Sequence, residues 1–317
     1  GAEEYKPKEY FYGKDERVLT LLELEEQMAK GDTKIINAKS LSIILCVGSR
    51  QEGRPYCSRI CCGQAIKCAL KLKEINPDLD IYIFYRDMRT YGFKEDYYRQ
   101  AANNGVNFIR YDVDNEPQVE VVKNNNQSTF KITVFDPILE KNLTIDNDIL
   151  ALGVAVLPSS DNKEISKLYK IPLSQDGFFL EAHMKLRPVD FATDGIFLCG
   201  MAHFPKYVSE SVSQANAAAS RAATLLSKDK NEKIEVEPIV ANLINEDACR
   251  GCGLCVALCP YGALEVRQTE KGRKVHVIDV ACKGCGVCAA TCYQHALTID
   301  SFTDQQITAQ MEAYLGA

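Results

Sequence analysis

Residues 249–260 read CRGCGLCVALCP and residues 282–293 read CKGCGVCAATCY. Each run spaces its cysteines C-x2-C-x2-C-x3-C, the bacterial arrangement for four-iron clusters, whose fourth cysteine ligates the other cluster. That spacing assigns Cys249, Cys252, Cys255 and Cys292 to one cluster, and Cys282, Cys285, Cys288 and Cys259 to a second. The fourth cysteine of each run is expected to start a helix. Gly251, Gly253, Gly284 and Gly286 let the backbone turn tightly enough for its amides to face the sulfurs. C-x2-C pairs also hold zinc; two copies of a four-cysteine run, one ending in Cys-Pro, favour iron and sulfide. Tyr293 replaces the Pro260 of the first copy, and His295 reads as a packing or surface residue.

A second cysteine group occupies CVGSRQEGRPYCSRICC, residues 46–62. An apolar run (Leu41, Ile43, Ile44, Leu45) precedes it and a helical stretch, GQAIKCALKLKEI, follows. A strand, glycine turn and helix normally carry G-x-G-x-x-G for a pyrophosphate. Here only Gly48 remains, and Cys46, Cys57, Cys61 and Cys62 offer soft ligands for a third cluster. Their C-x10-C-x3-C-C spacing is irregular, and adjacent cysteines need a local kink to face one core. A buried disulfide or redox dithiol of Cys61 and Cys62 is the competing reading. Arg50, Arg54 and Arg59 favour a negative cluster or are solvated loop charges, the latter preferred for Arg54. Cys68 and Cys199 read as buried apolar fillers. Arg86 and Arg89, in YRDMRTYG, stand where a dinucleotide enzyme would hold adenosine phosphate, but the glycine fingerprint is missing upstream.

Elements must position these groups. GALEVRQ and HALTIDS form a short strand after each cysteine run, and KVHVIDV forms the strand before the second. KNLTIDNDILALGVAVLP (141–158) is an apolar strand closing on Gly153 and Pro158. TDGIFLCGMAHFPKYVSESVSQANAAASRAATLL (193–226) gives a strand from Ile196 to Cys199, Gly200, a loop and a small-residue helix from about Ser209 to Leu226. The amides at the start of that helix, Ser209, Glu210, Ser211 and Val212, suit a flavin ring oxygen or phosphate.

The TDGIFLCG and ESVSQANAAASRAA stretches resemble the second FAD-contact segment of flavoproteins such as thioredoxin reductase. Together with CVGSR, YCSRICC, EAHMKLRPVDFATDGIF and the double cysteine run, nearly the whole chain resembles the heterodisulfide reductase A-subunit family. The resemblance implies FAD contacts at Gly153, Gly200, Met201, Lys206, Ser209, Glu210, Ser211 and Val212, and a cluster on Cys46, Cys57, Cys61 and Cys62. Met201 replaces the family's Asp and removes one ribityl contact; Lys206 stands beside the isoalloxazine or faces solvent. Residues 1–40 hold no G-x-G-x-x-G loop: either the gene is split and a partner chain supplies the other half of the FAD site, or this is an excised fragment.

The chain has 317 residues, 46% hydrophobic, with net charge −6 and fourteen cysteines. No basic tract suits nucleic acid, and no apolar run reaches the roughly 18 residues of a membrane span. Cysteines clustered as ligands imply a reducing, cytoplasmic setting. The expected fold class is α/β, partly thioredoxin-reductase-like and Rossmann-type, with a C-terminal α+β bacterial-type two-cluster ferredoxin domain. Expected segments are a lead-in (1–36) packing on the flavin domain, a nucleotide-domain-like unit (37–140), the rest of the flavin domain (141–227), a linker (228–238), the ferredoxin domain (239–300) and a terminal helix (301–317). The resemblance implies an oxidoreductase subunit with three 4Fe–4S clusters and a shared FAD, passing electrons to partner subunits or ferredoxin, with bifurcation at the flavin. The alternative is an iron–sulfur wire with no flavin of its own.

Overall fold

The computed structural model describes residues 1–124, 127–137, 139–228 and 239–316. The expected linker lies, from residue 229 on, outside the described residues. The chain forms two compact units, one of residues 1–159 with 200–211 and one of residues 160–199 with 212–317.

In the first unit, β1 (Ala2–Glu4) pairs with a late strand, β2 (Val18–Thr20) leads into α1 (Leu21–Lys30), and α2 (Thr33–Ile36) precedes β3 (Ser40–Val47). α1 starts on a reciprocal cap between Thr20 and Glu23 and stops at left-handed Gly31. The crossover β3, α3 (Cys61–Ile75), β4 (Asp80–Tyr85), α4 (Lys94–Asn103), β5 (Val106–Arg110) is followed by a meander, β6 (Gln118–Asn124), β7 (Gln127–Asp136) and β8 (Lys141–Asn147). β9 (Ile149–Val154) and β10 (Val156–Pro158) close the unit.

The main sheet is parallel, in the order β2-β9-β3-β4-β5, and its topology is Rossmann-type. Both faces are covered, which is why β3 is buried at every position after Ser40. Side chains alternate between two cores. Leu41, Ile43 and Leu45 of β3 pack with Ala65, Ile66 and Leu72 of α3, whereas Ile44, with Leu150 and Leu152 of β9, meets Phe130 and Ile132 of the meander.

The sheet crosses two of the boundaries drawn from sequence. β2 belongs to this sheet rather than to a lead-in lying on another domain, and β9, beyond residue 140, sits between β2 and β3. An all-apolar strand such as ILALGV is stable only when covered on both faces, and its partners lie more than a hundred residues upstream.

The second unit holds α5 (Asn162–Tyr169), most of α6 (Val208–Leu226), β11 (Ala241–Leu243), α7 (Leu254–Leu258), β12 (Leu264–Thr269), β13 (Gly272–Val277), α8 (Val287–Thr291), β14 (Leu297–Ile299) and α9 (Asp304–Leu315). β12 and β13 form a hairpin, and β11 pairs with β14. The expected strand Ile196–Cys199 is absent. The turn at Gly195 folds this stretch back on residues 189–191 and leaves one bridge, Asp190 to Phe197. Cys199 is therefore exposed, not a buried filler, whereas Cys68 is buried in α3. Among the described residues no helix is long and apolar enough to cross a membrane.

Candidate functional site

The two cysteine runs interleave. One small cavity is lined by Cys249, Cys252 and Cys255 of the first run and Cys292 of the second. A second is lined by Cys282, Cys285 and Cys288 with Cys259 of the first run. The backbone repeats with the sequence: Gly251 and Gly284 both have φ of 60°, and Gly253 and Gly286 both have φ of 80°. A Cβ at Gly251 would overlap the Arg273 carbonyl oxygen, and one at Gly284 would overlap that of Ile239, so these turns admit only glycine.

Gly253 and Gly286 cap the five-residue helices α7 and α8, which end at Cys259 and Cys292. The fourth cysteine thus closes a helix rather than opening one, because the left-handed glycine has already started it. Backbone amides point at the sulfurs: Ala241 donates to Cys282 Sγ at 3.3 Å, Ala263 to Cys259 Sγ at 3.3 Å and Ala296 to Cys292 Sγ at 3.4 Å. Among the described residues no three His, Cys, Asp or Glu side chains close on one metal-ion position. Four soft thiolate donors in each cavity, with backbone amides aimed at the sulfurs of Cys259, Cys282 and Cys292, suit an iron–sulfur cube. Burial pushes the Cys288 thiol up to about 11 and raises that of Cys255.

The other cysteine group gathers at the carboxyl end of β3, where parallel sheets present ligand sites. Cys46 lies in an irregular rung of β3 with φ of 66°, a left-handed bulge that redirects its side chain. Cys61 and Cys62 are buried in the first turn of α3. The kink expected for adjacent cysteines falls just upstream instead, at left-handed Arg59, whose amide donates to Cys57 Sγ at 3.3 Å. Cys61 and Cys62 are not bridged to each other in this structure. Burial raises the Cys46 thiol, with the neighbouring Cys62 adding to the effect. A hydrogen bond between Cys61 and Cys62 lowers Cys62 and raises Cys61.

The arginines have separate occupations. Arg50 binds Asp87 at 2.6 Å and approaches Cys46 Sγ at 4.0 Å. Arg54 stacks on Tyr5 at 4.1 Å. Arg86 is buried, with Nη1 on the Arg50 carbonyl and Nη2 on Glu116; its Nε has no partner but is sealed from solvent. Arg59 reaches across the sequence: Nη2 binds Glu210 Oε1 at 2.8 Å, Nη1 binds the Pro205 carbonyl at 3.2 Å, and the guanidinium lies 5.0 Å from the Phe204 ring.

That contact fixes the expected flavin segment. Glu210 also accepts from Tyr91 at 2.9 Å and from the Tyr207 amide at 2.8 Å, so its carboxylate caps α6 and ties the loop to the cysteine turn. No feature of the sequence marks this pairing over 151 residues. Lys206 is buried rather than solvent-facing, 3.3 Å from His203 Nδ1 and 4.1 Å from the Phe204 ring centre. Met201, Lys206 and Tyr207 line one side of a groove of about 690 Å³ whose floor is Ile66 and Leu70 of α3. Gly200 is left-handed (φ 67°) with open space where a Cβ would be. Ser209 and Val212 are exposed, and Ser211 is partly so. Gly153 has another role: buried in β9, it leaves room for Leu45, 2.6 Å from where its Cβ would sit.

A family model described as a 4Fe-4S dicluster domain matches residues 248–296. The A subunit of the H(2):CoB-CoM heterodisulfide,ferredoxin reductase of Methanothermobacter thermautotrophicus is 39% identical over 284 residues, 84% of this chain and 42% of that protein. The iron-sulfur A subunit of the CoB--CoM heterodisulfide reductase of Methanocaldococcus jannaschii is 36% identical over 324 residues, 98% of this chain and 48% of that protein. The chain belongs to the heterodisulfide reductase A-subunit family. It spans about half the length of the curated relatives it matches. Among solved structures, the thioredoxin reductase of T. acidophilum aligns over 72% of this chain and 64% of that one, at 12% identity and a TM-score of 0.46.

Proposed function

We propose that this member of the heterodisulfide reductase A-subunit family is an electron-transferring flavin and iron–sulfur oxidoreductase component, active within a complex. The observation that carries the reading is the pair of cavities, each lined by three thiols of one run and the last thiol of the other. Cys249, Cys252, Cys255 and Cys292 hold one 4Fe–4S cluster; Cys282, Cys285, Cys288 and Cys259 hold its mate. A third rests on Cys46, Cys57, Cys61 and Cys62, with support from their gathering at the end of β3 and from Arg50 beside Cys46. FAD, when bound, exchanges electron pairs for single electrons. Gly200, Met201 and Lys206 and the turn Ser209 to Val212 form one wall of its site, and a second polypeptide supplies the other. Partner subunits, with ferredoxin among the acceptors, take the electrons, and the flavin divides each pair between two acceptors.

An iron–sulfur wire with no flavin of its own is the second reading. It draws support from Glu210, whose carboxylate is already taken by Arg59 and Tyr91, and from Met201 in place of a ribityl-binding acid. An anaerobic inventory of iron, sulfide and flavin separates the two. About 12 irons per chain with flavin retained alongside a co-expressed partner supports the first reading. The same iron with no flavin under any pairing supports the wire, and a chain that takes up no iron refutes both.

A further inference from the structure

Lys274 is 7% exposed, in the middle of β13. Its ammonium donates to the Cys249 carbonyl at 2.8 Å and to the Glu246 carbonyl at 2.7 Å. The nearby carboxylates Glu246 and Asp247 pair with Lys271, and Lys274 makes no ion pair among the described residues, although its charge helps Lys271 to hold the Asp247 carboxyl down. A buried cation whose hydrogen bonds go only to neutral carbonyls, with one exposed carboxylate in range, is costly unless further negative charge lies close by. Four thiolates around an iron–sulfur cube leave a net negative charge, and that charge, with its surroundings, sets the reduction potential.

The internal repeat makes the feature one-sided. Gly251 abuts the Arg273 carbonyl as Gly284 abuts that of Ile239. The residue after Arg273 is Lys274, and the residue after Ile239 is Val240. At equivalent places beside two near-identical cysteine loops, one copy has a buried cation and the other a valine.

We propose that Lys274 is the fixed counter-charge of the cluster on Cys249, Cys252, Cys255 and Cys292, raising that cluster's reduction potential and leaving its mate's unaltered. The inference rests on the crossed two-cluster reading. With the cluster bound, a one-electron reductant such as dithionite would make it one unit more negative. An adjacent ammonium stabilises the more negative form.

The test is a redox titration with dithionite, followed by electron paramagnetic resonance, on the anaerobically reconstituted full chain. Cys249→Ser identifies which signal belongs to this cluster. Lys274→Gln keeps a donor for the two carbonyls and removes the charge. It is expected to lower the reduced-to-oxidised ratio of this cluster at fixed potential about tenfold, 59 mV for one electron, with iron content and the second signal unchanged. Lys274→Arg is expected to hold the wild-type ratio. Full iron with both ratios within about twofold of wild type in Lys274→Gln overturns the proposal while the two-cluster reading stands. If Lys274→Gln loses iron, an arginine variant with full iron at the wild-type ratio supports the proposal, and a shifted ratio or iron loss in that variant overturns it. A wild-type chain without two four-iron signals defeats the underlying reading instead.

Discussion

Replacing Arg59 with methionine keeps the side chain's length and removes what joins the 200–211 loop to the cysteine turn. Its contacts to the loop go, namely the ion pair with Glu210 at 2.8 Å, the bond to the Pro205 carbonyl at 3.2 Å and the ring contact with Phe204 at 5.0 Å; so do its bond to the Tyr91 hydroxyl at 2.8 Å and its ring contact with Tyr91, which lie outside the loop. Both ends of the pair are about one-third exposed, so it contributes about 0.5–1 kcal/mol after screening. The carbonyl bond adds about 1 kcal/mol and the ring contact about 0.5–1. The loop should therefore lose about 2–3 kcal/mol of its hold, a roughly 30- to 150-fold rise in local opening. Native-state hydrogen exchange reads this directly. The amides of Tyr207, bonded to Glu210, and Ser211, bonded to the Tyr207 carbonyl, are the reporters. They should exchange faster by that factor, while amides in β3 keep their rates. Protection within about threefold of wild type at both reporters would refute the reasoning, because the loop would then be held by something other than Arg59.

Substituting Cys57 or Cys62 with alanine should lower the iron content from about 12 to about 8 per chain, with both ferredoxin signals intact in the resonance spectrum. Cys259→Ser should abolish the cluster of Cys282, Cys285 and Cys288, whereas Cys292→Ser should abolish that of Cys249, Cys252 and Cys255; the opposite pattern would mean uncrossed ligation. Gly253→Ala has open space for its Cβ and should cost only the left-handed strain, about 1–2 kcal/mol; Gly251→Ala must also displace the Arg273 carbonyl and should cost about 2–4, seen as faster cluster bleaching in guanidinium. The Arg17 guanidinium holds the Asp15 carboxyl below its usual range, so its contribution is present above the unfolded value of about 3.9 and is lost as pH falls below that; Asp15→Asn should flatten this part of an acid-unfolding curve.

How much of the molecule is legible in its sequence follows from where the partners lie in the chain. The ferredoxin ligands are legible because each cluster's cysteines recur at fixed short spacings, and the β3–α3–β4 crossover because its apolar periods are local. Arg59 and Glu210 each stand out, but as a loop charge and a flavin contact; nothing in the spacing of two residues 151 apart says that they meet. The three-residue strand β2 shows no period of its own and is recognisable only by its neighbour β9. Cys199 reads as buried because its apolar run suggests a strand, whereas the turn at Gly195 leaves that run too few partners to form one. Lys274 reads as an ordinary strand lysine until its burial and its valine counterpart are set side by side.

The pairing of β11 with β14 has a consequence for how such a module can be reused. Ala241 lies opposite Ile299, so the chain enters the ferredoxin part and leaves it through adjacent antiparallel strands. Strands in that relation are about 5 Å apart, a gap that almost any surface turn can bridge. Ends this close meet the geometric condition for seating a segment in a surface loop of another protein. The module is shaped like a plug with both prongs on one side.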